Sequence, residues 1–242
     1  FGPLLASLIL WWSPGNLRAV FAFTLVPGVL SLVALVFGVR EPAAPALAST
    51  VSEKAPLAPL PGRFRSWLGW VAVFTLANAS DGFLLLRARD LGAPEAILPL
   101  AWGALSLLRA LAATPGGHLA DRMGRGRALA LGWGLYALTY LGFALATGPR
   151  ALVPLVVVYG LYYGLTEGTE RALVASFVDK GSLGRAYGTF NLVVGATALP
   201  ASLLFGRLYP YGKGALACAV CAALAAIAAA GMTVWNRSGE PA

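Results

Sequence analysis

Charged side chains are scarce in this sequence of 242 residues, where they make up 12% of the total. Soluble domains carry about a quarter charged residues. Hydrophobic residues reach 58%, and a water-soluble fold of this length would have to expose too much apolar surface. The composition therefore argues against a soluble enzyme and predicts an all-α, polytopic membrane protein that has lipid as its solvent.

Histidine and cysteine are also rare. The only histidine is His118, and the only two cysteines, Cys218 and Cys221, lie in an Ala-rich apolar run. A C-x-x-C pair can be redox-active or bind a metal, but without further ligands nearby we interpret it as two small buried side chains. The sequence contains no G-x-S-x-G, no H-E-x-x-H and no phosphate-binding glycine loop. We therefore expect no enzymatic activity, no metal and no cofactor.

Acidic residues are fewer than basic ones, which gives a formal net charge of +8. Such a charge could indicate a nucleic-acid partner. The basic residues, however, fall one to three at a time at the ends of apolar runs, which is typical of membrane proteins. We therefore expect lipid around the chain and no nucleic acid.

The apolar residues form long runs. A bilayer core of about 30 Å needs about 20 apolar residues of helix. Seven runs meet this length and predict complete spans: 19–39, 67–87, 94–115, 128–147, 151–172, 184–206 and 213–235. An eighth run, residues 1–12, is shorter and ends in the interfacial pair Trp11-Trp12. We interpret it as a partial span whose beginning lies upstream of this chain.

A Pro-rich polar stretch, residues 40–66, predicts a linker between two groups of helices. The first group is residues 1–39, the end of one bundle, and the second is a six-helix bundle over residues 67–236, followed by a tail at 237–242. Ten Lys and Arg lie on the linker side of the spans and six on the other side. The positive-inside rule therefore predicts a cytoplasmic linker and C-terminus. The excess of Arg over Lys is typical of a GC-rich bacterial genome, so the expected location is a bacterial inner membrane.

One connection between spans has a distinctive pattern, G-H-L-A-D-R-M-G-R-G-R over residues 117–127. Gly124 predicts a turn, and Asp121 is placed to bind the positive end of a nearby helix. The pattern resembles the signature loop of the major facilitator superfamily, G-x-L-A-D-R-x-G-R-[RK]-x-[RK]. The residues that match in register are Gly117, Leu119, Ala120, Asp121, Arg122, Gly124 and Arg125. Arg127 falls one place short of the last basic position, and Gly126 replaces a basic residue.

The resemblance implies a fold and a function. Members have twelve spans in two halves of six, and this chain would supply the end of the fifth span through the twelfth. Its partner would be the missing N-terminal half. The implied function is secondary active transport of a small solute by alternating access, as proton-coupled export, with the signature loop as a gate. The alternatives are a proton-coupled uptake permease, a non-transporting membrane binding or scaffold subunit and, third, an intramembrane enzyme.

Ionisable groups at membrane depth cost several kcal/mol, which makes each a functional candidate. Asp81 and Glu167 are our candidate proton carriers. Asp81 could equally be an outer-end residue paired with Arg87 or Arg89. Glu167 could pair with Arg171 one helical turn further on. By family analogy, Arg171 could also bridge to Asp121 as a gate latch, with Glu170 in the same cluster.

Three further polar residues are candidates for a substrate cavity. Asn78 lies three residues before Asp81, on the same face of a continuous helix. Arg109 could meet an anionic substrate, pair with Glu167 or extend to the inner surface. Asn191 could bind substrate or serve helix packing.

The span 151–172 has two further features. Gly160, Gly164 and Gly168 form a ridge where another helix can approach closely. The tyrosines Tyr159, Tyr162 and Tyr163 could line a cavity or face lipid.

Overall fold

A computed structural model describes residues 8–9, 11–12, 17–38, 59–94 and 97–238. The chain divides into two compact units, Phe1–Pro59 and Leu60–Ala242. In the first unit, helix α1 spans Leu17–Gly38 and its described side chains are exposed. Most of the predicted partial span 1–12 and of the predicted linker lies outside the described residues.

The second unit is a bundle of helices, and its described residues contain no strand. The helices are α2 (Gly62–Ala77), α3 (Gly82–Asp90), α4 (Leu98–Met123), α5 (Arg125–Leu145), α6 (Leu152–Ser176), α7 (Leu183–Leu208) and α8 (Ala215–Arg237). Single 3-10 turns at Pro149–Ala151 and Lys180–Ser182 precede α6 and α7. The predicted all-α fold is confirmed, and the last four predicted spans agree with α5 to α8 within a few residues.

Six stretches of the described chain are long and apolar enough to cross a membrane. They are Phe21–Gly38, Gly62–Asp90, Arg125–Leu145, Pro149–Ser176, Lys180–Leu208 and Ala215–Arg237. The predicted span 94–115 lies in α4, which has 26 residues but is not among the six. Arg109 interrupts the apolar run of α4, and this helix packs along α6, which is among the six.

The bundle is held together by aromatic and small side chains. Helix α5 packs along α6 and α8, while α2 packs against α7 and α8. Phe74 of α2 stacks on Trp133 of α5, with ring centroids 4.6 Å apart. Helix α8 contributes a face of fully buried alanines that includes Ala225 and Ala228. Small residues let helix backbones approach closely, which is how helices associate in lipid.

The predicted glycine ridge forms the contact between α6 and α4, although only in part. Gly160 lies against Leu108, and Gly164 lies against the backbone of Ala112. Gly168 has no neighbouring atom within 4 Å of the position a Cβ would take. The prediction that all three glycines form one contact was therefore wrong for Gly168. The contact residues of α4, Leu108 and Ala112, are also four apart, so their spacing matches that of the two glycines.

Two predicted boundaries need correction. The predicted loop 117–127 is helical up to Met123, and the turn consists of Gly124 alone, with φ of 90°. The residues before Gly124 allow α4 to continue, and glycine alone adopts this φ without strain. Helix α2 begins at Gly62 and not at residue 67, so the last residues of the predicted linker are helical. Phe64 and Trp67 are fully buried, which explains why the first turn of α2 joins the bundle.

Candidate functional site

The predicted span 67–87 is not one continuous helix. Helix α2 ends at Ala77 and α3 begins at Gly82, so Asn78–Asp81 form a break. Asn, Ser and Asp side chains offer the backbone alternative hydrogen bonds, which disfavours helix in this run. The Tyr136 hydroxyl donates to the carbonyl of Ala77 at 2.8 Å and so satisfies one acceptor freed by the break. The expectation that Asn78 and Asp81 share one face of a regular helix was therefore wrong.

The break lines a cavity of about 720 Å³ between α2, α6 and α7, which we call the central cavity. Non-helical backbone at membrane depth is tolerated where it lines a cavity. The cavity brings together six of the predicted site residues: Asn78, Asp81, Glu167, Glu170, Arg171 and Asn191. Its lining also includes Phe74, Phe190 and Val194, so the polar groups stand in apolar walls.

Asp81 is held by two phenols of α6. The hydroxyl of Tyr159 donates to its Oδ1 at 2.5 Å, and that of Tyr163 donates to its Oδ2 at 2.7 Å. The alternative pairing of Asp81 with Arg87 is not formed. The Arg87 guanidinium is buried and donates to the carbonyls of Phe143, Ala146 and Lys213. It thereby joins α3 to the end of α5 and to the turn before α8.

Arg109 forms an ion pair with Glu167, with Nη2 to Oε2 at 3.2 Å. This is one of the three roles left open for Arg109. The two side chains are 31% and 55% exposed, so the pair lies in a partly open part of the bundle. The Arg109 guanidinium also lies over the ring of Tyr163, 3.6 Å from its centroid. Tyr163 therefore connects Asp81 through its hydroxyl to Arg109 through its ring.

The sequence alone did not indicate that Tyr159 and Tyr163 are partners of Asp81. A signal was present, because Tyr159, Tyr163, Glu167 and Arg171 follow one another at intervals of four residues. Residues four apart lie on one face of a helix. Helix α6 therefore carries two phenols, a carboxylate and a guanidinium along one stripe.

The remaining candidates of α6 have partners of their own. The indole nitrogen of Trp133 donates to Oε1 of Glu170 at 3.4 Å. The carbonyl of Arg171 accepts a hydrogen bond from the hydroxyl of Tyr187 in α7 at 2.9 Å. Among the described residues, the Arg171 guanidinium forms no ion pair with Asp121. The gate latch between Arg171 and Asp121 stays a prediction.

The motif residues lie at the end of the bundle where α2 begins and α8 ends. Arg125 donates to the carbonyl of Ala172 in α6 at 3.1 Å. The side chain of Asn236 in α8 lies where a Cβ of Gly126 would be. Three other motif residues, Asp121, Arg122 and Arg127, are exposed, whereas Gly117 is partly buried. The motif thus connects α4, α5, α6 and α8 at one face.

Cys218 and Cys221 are buried in α8 as free thiols, which agrees with the packing interpretation. Within the part of the chain that the structure describes, no three His, Cys, Asp or Glu side chains are grouped so that they could hold a metal ion.

A bundle of membrane-length helices around a polar cavity, with a broken helix at that cavity, is the architecture of a polytopic membrane transporter. Residues 1–202 match the sequence profile of the Major Facilitator Superfamily (MFS), so the chain belongs to this family. The resemblance inferred from residues 117–127 is therefore confirmed.

Similar proteins include an uncharacterized MFS-type transporter of Methanocaldococcus jannaschii, 30% identical over 214 residues, which are 86% of this chain and 53% of that protein. Uncharacterized proteins of Mycobacterium bovis and Mycobacterium tuberculosis are each 30% identical over 164 residues, 67% of this chain and 40% of theirs. The chain thus spans about half the length, or less, of these relatives.

Proposed function

We propose that the whole protein is a secondary active transporter that exports a small solute in exchange for protons. Family membership supports membrane transport, and the observation that carries the coupling is the position of Asp81. This carboxylate lies at a helix break, lines the central cavity and accepts two phenolic hydrogen bonds from α6. Ionisable groups at this depth are costly and are typical of ion pathways.

Proton binding at Asp81 would act on α6. A proton bound to Oδ1 or Oδ2 competes with the hydroxyl of Tyr159 or Tyr163 for that oxygen, because each phenol donates to one of them. Tyr163 also supports Arg109, which pairs with Glu167. The protonation state of Asp81 is thereby linked to the contact between α6 and α4. We assign Asp81 and Glu167 as proton carriers, and Asn78 and Asn191 as candidate solute ligands.

We place the motif, the linker and the C-terminus on the cytoplasmic side of a bacterial inner membrane. The supporting observation is a shared cavity of about 510 Å³ at one end of the bundle. Pro61 before α2, Arg125 and Gly126 of the motif, and Asn236 near the end of α8 all line it. These segments therefore lie at the same face, and the distribution of basic residues assigns that face to the cytoplasm.

The coupling is tested with the full-length protein in inside-out membrane vesicles that have an acidic interior. Sugars, amino acids, organic acids and organic cations are added in turn, and an internal pH dye reports proton release. If the protein exports solute in exchange for protons, at least one class of solute should accumulate inside the vesicles and cause protons to leave them. Asp81→Asn and Glu167→Gln should each abolish this release, whereas Asp179→Asn, at an exposed position before α7, should preserve it.

Other results would point elsewhere. Proton release driven by solute moving out of the vesicles would indicate uptake, not export. The scaffold alternative predicts that Asp81→Asn and Glu167→Gln leave function intact, while a substitution at the Gly160–Gly164 contact abolishes it.

A further inference from the structure

A second cavity lies beside the central one, and we call it the outer cavity. It has a volume of about 470 Å³ and is enclosed by α3, the first halves of α4 and α6, and the end of α5. Ligand sites in proteins are typically about 300–1,000 Å³ and mostly apolar. The described lining consists largely of aliphatic side chains, such as Leu84, Ala101, Leu105 and Val156.

The outer cavity has few polar side chains in its described lining: the carboxylate of Asp81, the phenol of Tyr159 and the indole of Trp102. No Lys or Arg is among the described residues that line it. Arg87 belongs to α3, which encloses the cavity, but its guanidinium donates to backbone carbonyls at the end of α5 and before α8. Among its described lining residues, the cavity is therefore an apolar space with one anionic group, Asp81, at its inner end.

Asp81 lines both cavities. Its two oxygens are bonded from different sides, since Tyr159 lines the outer cavity and Tyr163 lines the central one. From α4, Arg109 approaches only the Tyr163 side, where it pairs with Glu167. The described groups that face Asp81 from the outer cavity are therefore uncharged.

We propose that the outer cavity is a binding site for a lipophilic cation, with the apolar groups of the ligand inside the cavity and its charge at Asp81. This second site is distinct from the central cavity with Asn78 and Asn191, and it rests on the proposed function for the role of Asp81 as a proton carrier. Apolar walls favour burial of hydrocarbon groups, and a carboxylate away from water attracts a cation strongly. An anion of the same shape would meet the Asp81 charge, and no described lining residue would compensate it.

Proton and ligand would then compete for one carboxylate. A protonated Asp81 has no charge for the cation, and a bound cation opposes protonation. Among the described residues, the titratable groups around Asp81 are Tyr159, Tyr162 and Tyr163 of α6, Tyr140 of α5, whose ring packs on Tyr159, and the pair of Arg109 and Glu167 beyond Tyr163. A proton and a cation at Asp81 should therefore exclude each other, so that cation binding weakens at acidic pH.

The test is equilibrium binding to the full-length protein in lipid nanodiscs. The probe is radiolabelled tetraphenylphosphonium, with tetraphenylborate as the anion of similar shape and triphenylphosphine oxide as a neutral analogue. We expect saturable binding of the cation that strengthens from acidic to alkaline pH, and no saturable binding of tetraphenylborate when that anion is measured separately. Asp81→Asn should weaken binding by at least about tenfold, as expected for loss of a close charge partner, and Asp81→Glu should retain most of it.

A matched pair of substitutions locates the site. Ala101→Trp narrows the outer cavity, and Ala198→Trp makes the same change in the central cavity. We expect Ala101→Trp to remove cation binding and Ala198→Trp to preserve it, with both variants checked for folding by circular dichroism. The reverse pattern would overturn the proposal and place the ligand in the central cavity.

Three further results would also overturn it. Equal binding of tetraphenylborate or the neutral analogue would indicate a groove for lipid acyl chains. Binding that ignores pH and Asp81→Asn would exclude the carboxylate. Absence of cation binding, in a protein that still shows Asp81-dependent proton flux with another solute, would refute the outer site and leave the proposed function standing.

Discussion

Two glycines of α6, one turn apart, should respond very differently to the same substitution. At Gly164, an added Cβ would lie 2.5 Å from the carbonyl oxygen of Ala112 and 2.6 Å from its Cβ. At Gly168, it would meet nothing within 4 Å. We therefore predict that Gly164→Ala destabilises the protein relative to Gly168→Ala.

The magnitude follows from the geometry. Ordinary contacts lie at 3.4 Å or more, so α4 and α6 must separate by about 0.9 Å, the difference between 3.4 Å and 2.5 Å. A gap of about 0.5–1 Å forfeits a quarter to a half of each dispersion contact along the interface, and overpacking typically costs about 1–3 kcal/mol. Both variants gain about 1 kcal/mol of helix propensity over glycine. The difference between them therefore isolates the clash, at about 1–3 kcal/mol.

The assay is thermal unfolding of the purified full-length protein in detergent, followed by far-UV circular dichroism. A difference of 1 kcal/mol corresponds to about 2–4 °C for 150–250 residues and to about half of that in a protein twice as long, so Gly164→Ala should melt roughly 1–6 °C below Gly168→Ala. Equal midpoints for the two variants would refute the close approach of α4 and α6 at Ala112.

Three other substitutions test further contacts. Arg87→Lys should lower the melting temperature and cost about 2–4 kcal/mol of stability, because one ammonium group cannot replace the hydrogen bonds of the buried guanidinium. Arg150→Lys, at an exposed position, is the control and should leave the melting temperature unchanged. Tyr163→Phe removes a donor to Asp81 but keeps the ring, so the pH profile of proton flux should shift while stability changes by only about 1 kcal/mol; an unchanged profile would contradict the assigned role. Gly124→Ala should cost about 1–3 kcal/mol in the same melting assay because φ is 90° there, and unchanged melting would speak against that turn.

The long apolar helices were largely predictable from the sequence. A run of about 20 apolar residues in lipid must satisfy its backbone hydrogen bonds internally, and a helix does so within one segment. The predicted spans 19–39 and 213–235 accordingly match Leu17–Gly38 and Ala215–Arg237. The break at Asn78–Asp81 was missed because the apolar residues on both sides of it make the run long enough to read as a single span.

The candidate site was predictable in its members. Of the partners, the sequence offered Arg109 for Glu167 as one alternative and did not identify the tyrosines that bind Asp81. The cost of ionised groups in lipid singled out Asp81 and Glu167, and both line the central cavity. Their partners, Tyr163 and Arg109, come from different helices. Which residues of two helices meet depends on the register and the separation of the helix axes, and neither can be read from one segment alone.

The amino-acid sequence by itself determined that this protein lies in a membrane and where most of its helices run, because both follow from local runs of apolar residues. It also determined the family, because one motif carries the resemblance. Only the tertiary structure decided how these helices face one another. Gly164 against Ala112 sets the close approach of α4 and α6. That approach accompanies the contact of Arg109 with Tyr163 and Glu167, and the break before α3 exposes Asp81 to two cavities at once. Such contacts join residues far apart in the chain, and only the packing of the whole bundle brings them together.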